Sequence, residues 1–154
     1  MTCMPDQSYG GGDARTVLSN VVRAIRSGRP KLAVILSKFD ALQALSDVEG
    51  SEWSELMSNA GAAYLRDNSA SRCYDDSDGP LLHEEARSLL VRLHGASIVT
   101  AVENPSNGLR LAHRYFTVSA LGQALKGRRL NTRGIASFPC VDPLRWVTSA
   151  FGVL

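Results

Sequence analysis

Leu32-Ala33-Val34-Ile35-Leu36 constrains this chain more than any other segment. All five residues are apolar, Lys31 and Ser37 bound them, and no polar residue alternates with them. The run is too short for a helix, so it predicts a strand buried on both faces, as strands of parallel sheets are. A helix precedes it. Val17, Val21 and Ile25 recur at helical spacing from Asp13 onward, with Leu18 and Val22 beside them, and Gly28 and Pro30 stop the pattern. Helix followed by buried strand is half of an α/β unit.

Further along, Glu49 to Arg66 predicts a helix with Trp53, Leu56, Met57, Ala60 and Tyr64 on one stripe. The polar stretch 67–79 (DNSASRCYDDSDG) predicts a mobile surface loop. Pro80 suits the first turn of a helix whose core face is Leu82, Ala86, Leu89, Leu90 and Leu93, ending at His94 and Gly95. Ala96 to Glu103 adds another turn or two of helix, and Asn104 to Gly108 is a turn. Arg114-Tyr115-Phe116-Thr117-Val118, aromatic and β-branched, predicts a second strand. Gly122 to Ser137 is basic and irregular, and Asp142-Pro143 opens a last helix through Trp146, Val147 and Ala150. No internal repeat or low-complexity tract interrupts this order.

At 154 residues, 44% apolar and 21% charged, the chain fits a single domain, 1–154, with a sizeable core. Residues 1–12 form a flexible N-terminus that lacks the basic start and apolar stretch of a signal peptide. Seventeen basic against fifteen acidic residues leave a charge of +2, too little to demand a polyanion partner. No apolar run approaches the ~18–20 residues of a membrane span. Cys3, Cys73 and Cys140 are odd in number and lack C-x-x-C spacing, which excludes a disulfide scaffold and points to the reducing cytoplasm.

Two tetrads carry recognisable chemistry. Ser37-Lys38-Phe39-Asp40 follows the first strand and Ser119-Ala120-Leu121-Gly122 the second, so both belong on the rim where open parallel sheets bind ligands. Together they resemble the (Asn/Thr)-Lys-x-Asp and Ser-Ala-(Lys/Leu) loops by which Ras-like GTPases read guanine, with Ser37 replacing the usual Asn or Thr. The wider chain resembles the C-terminal half of the bacterial double-GTPase type of TRAFAC GTPases. The matching pieces are the helix Val17 to Ile25, LAVILSKFDAL (Leu32 to Leu42), RYFTVSALG (Arg114 to Gly122) and VDPLRWV (Val141 to Val147). The resemblance implies a partial P-loop NTPase-like (Rossmannoid) three-layer α/β fold. A short parallel sheet would be flanked by helices, with a helix-rich insertion filling the 79 positions from Asp40 to Ser119.

It also implies a guanine-base site made of Ser37, Lys38, Asp40, Ser119, Ala120 and Leu121. Asp40 would accept from the ring N–H and exocyclic amine of guanine, charge-assisted bonds that contribute about 1.5–3 kcal/mol each. Lys38 would lay its stem across the base, and the Ala120 amide would donate to the guanine carbonyl. The phosphate cradle G-x-x-x-x-G-K-(Ser/Thr) is missing, because Gly10-Gly11-Gly12 leads only into Asp13-Ala14-Arg15. An Asp-x-x-Gly for magnesium is missing too. The expectation is therefore a truncated GTPase-like domain that binds GTP or GDP weakly, has no Mg site and does not hydrolyse alone. Its open sheet edge would call for a protein partner, such as the absent N-terminal GTPase half, or for self-association.

Two other function classes compete. Lys126, Arg128, Arg129 and Arg133 lie within eight positions free of acids, as in a helix-turn-helix arm on nucleic-acid phosphates; Gly134 and Pro139 break any recognition helix there. The third reading is a non-enzymatic interaction module whose nucleotide loops are vestigial. Leu82-His83-Glu84-Glu85-Ala86-Arg87 fails the zinc-protease pattern because Arg87 stands at the second histidine, leaving a solvated helix face. His94 caps a helix C-terminus, His113 has no nucleophile beside it, and Trp53 and Trp146 are packing residues.

Overall fold

The computed structural model describes residues 13–25, 30–43, 51–59, 62, 78–105, 107–109, 111–120 and 140–152. The expected flexible segment 1–12, the helix stop at Gly28, most of the 67–79 loop, the basic stretch from Gly122 to Ser137, Cys3 and Cys73 lie outside them. Two strands, β1 (Lys31–Leu36) and β2 (Ala112–Thr117), pair in parallel with Val34 opposite Tyr115 and Leu36 opposite Thr117. Between them come α2 (Phe39–Gln43), α3 (Glu52–Met57), α4 (Gly79–Leu90) and α5 (Ala96–Glu103). Parallel neighbours need a crossover, and these helices supply it. The helix α1 (Ala14–Ala24) precedes β1, and α6 (Asp142–Thr148) follows β2 and runs into a 3₁₀ turn at Ser149–Phe151. The fold is mixed α/β.

Side-chain alternation divides the sheet. Leu32 and Val34 join Tyr115 in a cluster with Ala86 of α4 and with Val99 and Val102 of α5, and Leu18 of α1 packs at its margin. On the opposite face Phe116 meets Trp146 of α6 with ring centroids 5.9 Å apart, while Lys31 and Arg114 lie over the same indole. Lys31 also donates from Nζ to the Trp146 carbonyl at 3.0 Å. A second cluster, Phe39, Met57, Ala62 and Leu89, closes the C-terminal end of the sheet. Burying side chains of this size stabilises by about 1.5–3 kcal/mol each. Because α4 contributes Ala86 to one cluster and Leu89 to the other, it helps to join them.

Local chemistry sets the ends of these elements. Ser51 caps α3, its Oγ accepting from the Ser54 amide at 3.0 Å. That helix covers Glu52–Met57 alone where the apolar stripe predicts one from Glu49 to Arg66; Ala60 and Tyr64 lie outside the described residues. Pro80 stands in the first turn of α4. The chain kinks between α4 and α5, where His94 adopts φ 62° and ψ 17°. Gly95 follows because a Cβ there would fall 2.5 Å from Leu90 Cδ1.

Burial departs from expectation at two elements. Of α1's apolar residues, Val22 is buried and Leu18 half-buried, whereas Val17 and Val21 are 50% and 46% exposed. The helix packs on α5 through its Leu18 side, and no described element covers the other. β1 is half-buried along its length, with Ile35 49% exposed, rather than buried on both faces. A central strand needs neighbours on both edges; β1 has one, β2, among the described residues. No described helix is long and apolar enough to cross a membrane.

Candidate functional site

The C-terminal rim of the sheet is tightly stitched. The Val118 amide donates to the Leu36 carbonyl at 2.9 Å, and the Phe39 amide returns to the Val118 carbonyl at 3.1 Å. Lys38 makes the turn between β1 and α2 with φ 57°, a left-handed conformation rare for a residue with a side chain. That turn swings Asp40, in the first turn of α2, toward the end of β2, where fully buried Ser119 donates from Oγ to Asp40 Oδ1 at 2.6 Å. The Cys140 thiol donates to the Ser119 carbonyl at 3.4 Å. Ser37, Lys38 and Ala120 are exposed, and Leu121 lies outside the described residues. Beneath them Thr117 Oγ1 is buried with no hydrogen-bond partner. Asp40 and Ser119 are thus side by side, but one carboxylate oxygen already accepts a short bond from within the protein. The contact closes the rim as a structural latch between α2 and β2.

A second polar group sits at mid-sheet. The Tyr115 amide, on the edge of β2 away from β1, donates to His83 Nδ1 of α4 at 3.2 Å. The His83 ring lies 5.2 Å from the Tyr115 ring and 5.8 Å from that of His113. Arg87 grips Glu103 through two bonds, Nε to Oε1 at 2.5 Å and Nη2 to Oε2 at 3.0 Å, and the Tyr115 hydroxyl donates to Glu103 at 3.5 Å. Burial, aided by the charges of His113 and Arg114 and opposed by Glu84 and Glu103, lowers the His83 pKa below 6.5. The Arg87 hydrogen bond holds the Glu103 carboxyl below its ordinary range, and burial pushes the Tyr115 phenol up. His83 is therefore no solvated face residue: it caps a strand edge, and with Arg87–Glu103 it clamps α4, α5 and β2 together. No local pattern announces a bond between residues 32 positions apart. No cluster of three or more metal-binding side chains occurs among the described residues.

The third feature is apolar. A cavity of about 610 Å³ opens between α1 and β1, lined by Val17, Val21, Leu32, Val34, Ile35 and Ile98 among others. Among the described residues, no charged side chain lines it. Its lining is predominantly apolar, and an exposed apolar surface of this kind marks a protein–protein or membrane interaction site or a ligand-binding groove.

No family model matches the chain, and no solved structure does. One protein of Mycolicibacterium smegmatis does: over 151 residues, 98% of this chain, the two are 66% identical. That protein is described as "Putative ESX-1 scaffolding and assembly protein SaeC". The match overturns the resemblance to TRAFAC GTPases and, with it, the function of a guanine-nucleotide-binding GTPase half that the resemblance implied. Neither nucleic-acid binding by Lys126, Arg128, Arg129 and Arg133 nor a module built on vestigial nucleotide loops finds support in the match. The chain spans 39% of the relative's length, so what it is similar to, almost end to end, is about two-fifths of a protein described by scaffolding and assembly.

Proposed function

We propose that this chain is a protein-binding module that holds components together during ESX-1 assembly, working in the cytoplasm. The observation that carries the reading is the 66% identity to the scaffolding relative over 98% of the chain. The apolar cavity between α1 and β1 supports it physically, because a scaffold acts by burying such surface against other proteins. We also infer that β1 and β2 are the nucleus of a wider sheet in a three-layer fold, since helices stand on both faces while, among the described residues, neither strand has a second strand neighbour.

The test replaces the matching segment of the M. smegmatis relative with this chain and carries an affinity tag on the product. Co-purification of ESX-1 proteins together with retained ESX-1 secretion is the expected result. Secretion that persists when the segment is deleted altogether, with no ESX-1 protein captured by the replaced form, overturns the reading.

A further inference from the structure

His83 is a helix residue that closes a strand edge with a ring nitrogen. Val118 bonds across to Leu36 and Phe39 through its amide and its carbonyl, so by alternation Phe116 and Arg114 turn toward β1 as well. Tyr115 turns the other way, and its amide donates to His83 Nδ1 at 3.2 Å. An imidazole accepts only through a nitrogen that carries no proton, so the neutral ring holds its proton on Nε2. That nitrogen lies 3.9 Å from Glu84 Oε1.

Protonation leaves this contact no way to adjust in place. The imidazolium carries N–H on both nitrogens, so turning the ring over only presents a second donor to the Tyr115 amide. The amide cannot turn away, because its neighbours Arg114 and Phe116 are paired to β1. A donor facing a donor loses its hydrogen bond and keeps its desolvation cost. The ring, by contrast, has somewhere to go. The His83 side chain is 20% exposed and that of Glu84 69%, so a small outward swing brings the cation to a solvated carboxylate. The charged groups around the ring are Glu84 on α4, Glu103 on α5, and His113 and Arg114 on β2. The two carboxylates favour the cation; Arg114 and a protonated His113 oppose it.

The rest of the junction does not respond to the same proton. Arg87, one turn further along α4, holds Glu103 through two hydrogen bonds and keeps that carboxyl below its ordinary range. The pair stays ionised where an imidazole protonates, so α4 remains tied to α5. The Tyr115 phenol, pushed up by burial, stays neutral. Ala86 and Leu89 remain in their apolar clusters. Loss of the His83 contact is therefore a local event on one edge of β2.

We propose that His83 is an acid-released cap on the outer edge of β2: proton uptake moves its ring from the Tyr115 amide to Glu84 while the rest of the fold holds. The proposal stands apart from the scaffold reading, because it rests on contacts within α4, α5 and β2. The test follows the full chain by NMR from about pH 7.5 to about pH 5. The His83 ring should pass from one protonated nitrogen to two. Over the same range the Tyr115 amide should lose about tenfold or more in exchange protection, after correction for the intrinsic pH dependence of exchange. Phe116, whose amide serves β1, should keep its protection, and Trp146 fluorescence should not move. His83→Asn keeps an acceptor and takes up no proton, so Tyr115 should stay protected down to about pH 5. Glu84→Gln should lower the pH midpoint, since the cation loses the carboxylate that receives it.

A His83 ring that titrates while Tyr115 keeps its protection overturns the proposal, because the contact then survives the proton. Tyr115, Phe116 and Trp146 responding together also overturns it, since acid then unfolds the chain as a whole. Both readings use the wild type and stand whether or not the variants fold. An unchanged midpoint in Glu84→Gln overturns the destination given to the ring.

Discussion

Thr117 is the residue most at odds with its surroundings. Its side chain is fully buried at the end of β2, and its hydroxyl has no hydrogen-bond partner. A buried hydroxyl without a partner costs about 1–3 kcal/mol, and removing it while keeping the β-branched shape relieves that cost. Thr117→Val should therefore leave stability unchanged or raise it by about 1 kcal/mol, read as a higher urea midpoint at constant slope. A loss of stability would mean that the hydroxyl has found a partner. The same scale shows why Asp40 and Ser119 were legible as neighbours and misleading as chemistry. A lysine-x-aspartate after a strand marks a rim, but a carboxylate that latches its own chain and one that reads a base look alike in one dimension. In the folded chain Asp40 takes the 2.6 Å bond from Ser119 and ties α2 to the end of β2.

At the scale of the element, β2 depends on α4. His83 accepts the Tyr115 amide only while Nδ1 is unprotonated, and burial lowers its pKa below 6.5 in the folded chain. A depressed folded value favours the native state above the unfolded pKa, and that contribution is lost as pH falls through the folded one. Stability should decline between about pH 7 and pH 5, with His113, Arg114, Glu84 and Glu103 around the ring setting the midpoint. Asn at this position keeps an acceptor near Nδ1 and does not titrate, so His83→Asn should flatten the profile. Denaturant unfolding of both forms across that range reads the difference, and parallel profiles would contradict the role given to His83. Elements were read well where the signal is local: the apolar run of β1, the aromatic run of β2 and Pro80 opening α4. They were read badly where burial depends on what lies next door. Val17, Val21 and Ile35 have the spacing or composition of core residues, yet remain 46–50% exposed because their neighbour is not among the described elements.

For the whole molecule the question is whether its two apolar clusters unfold together. One holds Phe39, Met57, Ala62 and Leu89 at the rim, the other Ala86, Val99, Val102 and Tyr115 against the sheet. Contact between them runs through α4, where Ala86 and Leu89 sit one helical turn apart, and through β1, whose Leu36 packs on the first cluster while Leu32 and Val34 pack on the second. Interiors transmit strain through packed side chains, so damage to the first should be felt by the second. Leu89 is 1% exposed, and Leu89→Ala should cost about 2–5 kcal/mol. The chain carries its own reporters: Trp53 packs on the rim cluster, and Trp146 lies across the sheet on α6. With each tryptophan left alone by changing the other to Phe, both fluorescence transitions should fall by the same amount in Leu89→Ala and coincide with the loss of helical circular dichroism. If the Trp53 signal moves and the Trp146 signal does not, the rim and the sheet are separate cooperative units.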